Sequence, residues 1–133
     1  MIVYLDSGIV ISLVEKRAVW GPLVASRTSE LEQAGSRFVV SDLTRMECRV
    51  GPLRSGDALL MAAYDNYFGD LSLQVSSLTP AACDRAAEIR ARHGFKTPDA
   101  LHLAVALETG CDHFLTHDQR LKKFTELTVE FLM

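Results

Sequence analysis

No Cys-x-x-Cys pair occurs in the chain, and its three cysteines, Cys48, Cys83 and Cys111, are an odd number placed singly. That argues against a disulfide scaffold, and the thiols read as small, reduced core hydrophobes of a cytoplasmic protein. No apolar run approaches the roughly 20 residues a membrane-crossing helix needs. The longest near the start, Ile9 to Val14, is short and broken by Ser12. Asp6 is the first charged side chain, so no basic leader precedes that run and a secretory signal is not expected. There is no glycine-rich loop to cradle a phosphate, and Ser7 lacks the glycines of a nucleophile elbow. Internal repeats, low-complexity tracts and linkers are missing too. A basic excess is also absent: 17 acidic against 14 basic residues leave a formal charge of −3, which weighs slightly against a polyanionic partner.

What is present fits one globular unit. With 133 residues, 48% of them hydrophobic and 23% charged, the chain is expected to form a single domain, 1–133, around one sizeable core. Strand and helix patterns alternate along it. Continuous β-forming runs at 2–5 and 37–41 read as strands covered on both faces, and 71–75, 113–116 and 127–132 read as three more. Between them lie helical patterns: one through Ile9, Leu13 and Val14 to about Arg17, and one from Leu23 to Ala34 stopped by Gly35. A helix at 43–50 is read as closed by Gly51-Pro52, and one at 55–68 as capped by Ser55. Thr79-Pro80 opens a helix to Gly94, Thr97-Pro98 opens another, and 118–124 forms a short one. The expected fold is a three-layer α/β/α sandwich with a central, mostly parallel five-stranded sheet.

Sites in such sheets form outside the carboxyl ends of the strands, and four acids fall there. Asp6 ends the first strand, Glu47 lies one turn inside the helix after the second, Asp99 opens an apolar helix, and Asp118 follows the fourth strand. Each has an ordinary explanation: Asp99 and Asp118 suit helix N-termini on dipole grounds, and Glu47 suits a solvated helix face. Asp6 is harder to dismiss, because burying an unpaired charge is costly. Together the four would form an anionic basin whose members repel one another unless a cation neutralises them. An all-carboxylate, hard-oxygen set suits Mg²⁺ or Mn²⁺, ions that complete their shells with water and phosphate, and so points to phosphoryl chemistry. Ser7 and Thr116 set hydroxyls beside Asp6 and Asp118, either to orient water or to bond the turns.

The stretches "VYLDSGIVI", "SDLTRMECRVG", "TPDALHLAVAL" and "CDHFLTHDQRL" resemble the PIN-domain nucleases, and among them the VapC-like toxins of bacterial toxin–antitoxin pairs. The resemblance spans essentially the whole chain. It implies a PIN-like fold and an acidic quartet at Asp6, Glu47, Asp99 and Asp118, with a hydroxyl residue at Thr116. It implies an endoribonuclease that uses Mg²⁺ or Mn²⁺ to cleave RNA with water, leaving a 5′-phosphate and a 3′-hydroxyl. Asp6, Asp99 and Asp118 would hold the metal, with Glu47 as a further ligand or a base, and Thr116 and Ser7 would position water. A cognate antitoxin is the implied partner, in a homodimer or a toxin–antitoxin hetero-oligomer. An apolar surplus in "LLMAAYDNYF" suits either an interface or the core.

Other constellations compete. Cys111, His113 and His117 invite a zinc reading, but a strand through 113–116 separates the two histidines by about 13 Å. His102 follows Asp99 by one turn, and either touches substrate phosphate or bonds locally. Arg45, Arg49, Lys96 and Arg120 lie near the acids in sequence, as phosphate contacts or as solvated helix faces. Two further functions remain in view: a receiver-type phosphoacceptor module, which would want an acid pair after the first strand and a lysine after a later one, and a non-catalytic RNA- or partner-binding relative of the nucleases.

Overall fold

Alternation of buried side chains on its three central strands divides the protein into two cores, one on each face of a sheet. The structure, a computed structural model, describes residues 1–133. Its strands are β1 (Ile2–Leu5), β2 (Arg37–Ser41), β3 (Leu73–Ser76), β4 (His113–Thr116) and β5 (Thr128–Phe131). They lie in the order β3-β2-β1-β4-β5, and every neighbouring pair is parallel. The sheet expected to be mostly parallel is parallel throughout. Tyr4, Val39 and Phe114 point to the face covered by α5 (Pro80–His93) and α6 (Thr97–Glu108). Val3, Leu5, Val40 and Leu115 point to the other, against α1 (Ser7–Val14), α2 (Trp20–Gln33), α3 (Asp42–Ser55) and α4 (Ala58–Phe68).

Parallel strands need crossovers, and their directions locate the site. From β1 the chain moves outward through β2 to β3 beneath α1 to α4. The α5–α6 connection then returns over the opposite face to β4, on the far side of β1. Chain direction across the sheet therefore reverses between β1 and β4, and the crevice at their carboxyl ends is the place where such folds bind ligands. α6 lies over that crevice and is buried at Ala100, His102, Leu103, Ala104, Val105 and Ala106. A side chain such as Leu103, fully buried, contributes roughly 1.5–3 kcal/mol, so α6 and the carboxylate it carries are held firmly.

Several element limits differ from expectation, each for a local reason. Gly51-Pro52 does not close a helix: α3 continues to Ser55 with a buried Pro52 inside it, and ends at Gly56 in the left-handed region (φ 66°). Ser55 thus ends one helix rather than capping the next, and Asp57 caps α4 by accepting from Leu60 N at 3.0 Å. Leu71 is fully exposed and outside β3, because the Asp70 carboxylate accepts from both Ser72 N and Ser72 Oγ in a tight turn. Residues Gln119–Lys123 form a 3₁₀ turn, not an α-helix. Cys48 and Cys111 are buried as expected, but Cys83 is exposed on the outward side of α5. In "LLMAAYDNYF", Tyr64 and Phe68 belong to the core while Leu59 is 86% exposed. No helix is long and apolar enough to cross a membrane.

The turn from α1 into α2 is close-packed. A Cβ at Gly21 would sit 2.9 Å from the Lys16 carbonyl carbon and 3.2 Å from Ser12 O, both backbone atoms. Gly21→Ala is therefore expected to lower stability by about 1–3 kcal/mol, the usual cost of overpacking, read as a fall in the urea midpoint.

Candidate active site

Asp6 enters the crevice because β1 ends there and α1 begins at the next residue. It is the N-cap of α1: Ser7 N donates to its Oδ1 at 2.9 Å. On the neighbouring strand Leu5 pairs with Leu115, which brings Thr116 alongside. The fully buried Thr116 donates from Oγ1 to Asp6 Oδ2 at 2.7 Å and accepts from Asp118 N at 3.0 Å. One hydroxyl thereby ties the ends of β1 and β4 together and sets both acids relative to each other.

Asp118 also caps the 3₁₀ turn, accepting from Arg120 N at 3.0 Å. Its carboxylate is gripped by the Arg120 guanidinium, with Nε to Oδ1 at 3.0 Å and Nη2 to Oδ2 at 2.6 Å. That pairing holds the Asp118 pKa below its ordinary value. Arg120 is itself 67% exposed, so the pair is screened by water and its grip is weak in energy. The positive field of Lys96, at the start of α6, acts on Asp118 in the same direction.

Asp99 is the third residue of α6. The two Thr-Pro helix starts of this chain differ in construction: Thr79 accepts from Ala82 N through its side chain, whereas Thr97 lies inside α6 and Lys96 is the cap residue without a side-chain bond. Asp99 likewise makes no side-chain hydrogen bond to the first turn, so the capping role expected of it reduces to its charge in the helix field. Its pKa is raised, first by burial and then by the negative charges of Asp6 and Asp118, against a smaller opposing effect of Arg120 and His102. Three acids from β1, α6 and the end of β4 therefore share one electrostatic neighbourhood.

Glu47 reaches the same place from α3. Its Oε1 accepts from Ser7 Oγ at 2.7 Å and lies 2.7 Å from His102 Nε2. Burial by itself would raise its pKa, but the bonds from His102 and Ser7 outweigh that and hold it below the ordinary value. His102 is 2% exposed, and its Nε2 is also 3.8 Å from Asp6 Oδ1. Of the two readings of His102, the structure supports the local one: the ring is enclosed and bonded to Glu47, Ser7 and Tyr4.

The other candidates lie elsewhere. Arg49 pairs with Asp65 at 2.8 Å, and Arg45 sits 4.0 Å from the same carboxylate with its guanidinium over the Phe68 ring, so both face α4. His113 bonds Glu130, which also holds Arg27. His117 is fixed between Ser12 Oγ and the Leu132 carbonyl, against Trp20. The zinc reading of those histidines finds no shared site. Tyr4 was missed in the sequence, although a tyrosine inside a buried strand must find a partner for its hydroxyl. Here the partners are His102 Nδ1 at 2.7 Å and Ser41 Oγ at 2.9 Å.

No three His, Cys, Asp or Glu side chains close to the distances of a complete metal shell, and Arg120 holds the place of a cation on Asp118. The chemistry of the donors nevertheless fits a hard divalent ion. All four are carboxylates, and the mutual repulsion that raises Asp99 is the kind a cation relieves.

The fold is shared with solved structures at low sequence identity. VapBC2 from Rickettsia felis, bound to a DNA fragment from its promoter, has a TM-score of 0.82 at 15% identity over 98% of both chains. A toxin–antitoxin complex from Klebsiella pneumoniae gives 0.71 at 18% identity over 95% of each chain. VapC20 of Mycobacterium tuberculosis, a toxin that cleaves the sarcin–ricin loop, gives 0.66 at 17% over 84% of this chain and 86% of that one. No curated protein matches the chain by sequence. The family model described as PIN domain matches residues 3–127, nearly the whole chain, and the protein belongs to the PIN domain family.

Proposed function

We propose that the protein is a metal-dependent endoribonuclease and the toxin of a VapC-type toxin–antitoxin pair. The observation that carries this reading is Asp99: a half-buried carboxylate without a hydrogen bond at the switch point of the sheet, raised in pKa first by burial and then by the negative charges of Asp6 and Asp118. A helix start without chemistry to perform has no use for that repulsion. Membership in the PIN family and likeness to the RNA-cleaving VapC20 support the reaction class. Likeness to VapBC2 and to the Klebsiella toxin–antitoxin complex supports an antitoxin partner and a hetero-oligomer. The receiver-type alternative loses its basis: β1 carries one acid at its end, and the chain is a PIN domain.

Asp6, Asp99 and Asp118, with Glu47, would hold Mg²⁺ or Mn²⁺. The chemistry supplied by such an ion, when bound, is acidification of water and neutralisation of charge on the phosphate oxygens. The protein's own part is positioning. Thr116 holds Asp6 and Asp118 in register, and Ser7 and His102 keep Glu47 ionised and oriented through Oε1. Glu47 Oε2 accepts no bond from the protein and is free either to join the ligands of the ion or to accept a proton from water. Arg120, exposed beside Asp118, is able to exchange its carboxylate for a substrate phosphate, with Lys96 adjacent. RNA is drawn to these few cations, since the molecule as a whole carries a net charge of −3.

Asp99→Asn tests both chemistry and electrostatics. With Mn²⁺ and a structured RNA, cleavage should fall by more than about 100-fold, beyond the 10–100-fold typical of outer-shell partners; equal cutting would remove Asp99 from the site. Metal-free, the same variant should melt higher than the parent at neutral pH. A carboxyl whose pKa is raised by folding costs stability as pH rises through the window above its ordinary pKa, and Asn removes that cost. Differential scanning fluorimetry across pH 4 to 8, a range of about four units around that window, should show the two melting points converging at the acid end. Added Mn²⁺ should raise the melting point of the parent and not that of Asp99→Asn.

A further inference from the structure

A surface of one charge adjoins the acids on one side. Residues 90–96 run from the last turn of α5 to the start of α6, and 119–124 form the 3₁₀ turn that follows Asp118. Together they carry Arg90, Arg92, Lys96, Arg120, Lys122 and Lys123 and no acidic residue. These are six of the 14 basic side chains of a protein with a net charge of −3, and all six are exposed. Only Arg120 has a carboxylate partner within ion-pair distance, and that partner is Asp118 of the site.

The two segments are held against each other. Lys123 Nζ donates to His93 O at 3.0 Å and lies 4.6 Å from the centroid of the Phe95 ring. Arg90 Nε donates to Phe95 O at 3.1 Å. Beneath them Phe95 and Phe124 are buried with ring centroids 6.3 Å apart, and His93 packs edge-on against Phe124. Arg90 and Lys123 thus converge on Phe95, the residue before Lys96, and the charges of Lys96 and Arg120 act on Asp118. A row of cations leads from Asp118 past Lys96 to Lys123 and Arg90. Arg92 stands apart from it, in a small hollow with Arg85, Glu88 and Glu126 where the charges balance.

Helix stability does not account for the row. Cations suit the carboxyl end of α5, where Arg90 lies, but Lys96 stands at the amino end of α6, which the helix field makes unfavourable for a positive charge. Bonds to carbonyl oxygens leave Lys123 and Arg90 with their charges uncompensated. Like charges gathered in this way repel one another, and a polyanion relieves that repulsion. Backbone phosphates fit, because they repeat along a chain as these cations do.

We propose that Lys96, Lys123 and Arg90, continuing from Arg120, form the docking surface for the phosphate backbone of the RNA and lead it across the α5–α6 turn into the acid crevice. That the polyanion is RNA rests on the nuclease reading; the cation row does not. A protein of negative net charge then holds its substrate through a local surface. Contacts of this kind fix the position of the nucleic acid and read no sequence.

The test is the double variant Arg90→Gln, Lys123→Gln in the full chain, with a fluorescent single-stranded RNA and no divalent metal, so that nothing is cut. Each lost phosphate contact flattens the dependence of log Kd on log salt by about 0.7, so the double variant should lose about 1.4 from the slope and bind more weakly. Arg37→Gln is the control: Arg37 is exposed at the start of β2, on the edge of the sheet opposite the site, and its loss should change neither quantity. In cleavage with Mn²⁺ the double variant should raise KM at constant kcat, the mark of lost uniform binding. Acetylation of wild-type lysines reads the same surface if the double variant fails to fold. RNA should shield Lys96 and Lys123 and leave Lys16, between α1 and α2, reactive. An unchanged salt slope in the folded variant, an equal loss in Arg37→Gln, or acetylation of Lys96 and Lys123 indifferent to RNA overturns the proposal. Poly-glutamate binding as tightly as RNA of the same charge also overturns it, and assigns the row to an acidic protein segment. If wild type binds RNA through this row and cuts it with neither metal, the nuclease reading fails and the docking surface stands.

Discussion

The hydrogen bond from the fully buried Thr116 Oγ1 to Asp6 Oδ2, 2.7 Å long, joins the ends of the two strands between which the path of the chain across the sheet reverses. The rest of the site is arranged around that join. Asp118 follows from it, because its backbone N–H donates to the same Thr116 oxygen. Asp99 follows from the α5–α6 return that the reversal requires, and its charge is felt against the two acids so placed. Losing this bond would loosen the separation of two neighbouring carboxylates.

Repulsion and pairing are divided unequally among the four acids, and that division assigns them different work. Asp118 is paired with an exposed arginine and Glu47 is hydrogen-bonded to a buried histidine, while Asp99 is left without a donor. The exposed pairing is easily exchanged for another partner, whereas the buried one is backed by three fully enclosed side chains. A site of this kind is strained by its own charge at Asp99 yet firmly held at Glu47. The cost falls on a helix, α6, whose burial is extensive enough to sustain it.

Much of the architecture was legible along the chain because its signals are local. Strand runs such as "IVYL" and "RFVVS" are buried on both faces, and uninterrupted apolar runs are what that demands. Limits were less legible where tertiary burial overrode a local rule. Pro52 continues α3 because its ring is buried, and Leu71 drops out of β3 because a neighbouring aspartate closes a turn first. The strand-end acids could be picked out singly, but Arg45 and Arg49 could not be assigned, since only the packing of α3 on α4 turns them toward Asp65.

Residue types and their order determined, with no structure in hand, the class of fold and picked out four carboxylates at strand ends and helix starts, because those follow from periodicity, position and charge. Tertiary structure alone decided which atoms meet. Tyr4, His102 and Glu47 are separated by up to 98 residues and belong to β1, α6 and α3, so their contacts exist only once both faces of the sheet are covered. The partners of the buried His102 ring and of the Glu47 carboxylate are brought from across the fold, and no spacing along the chain encodes them.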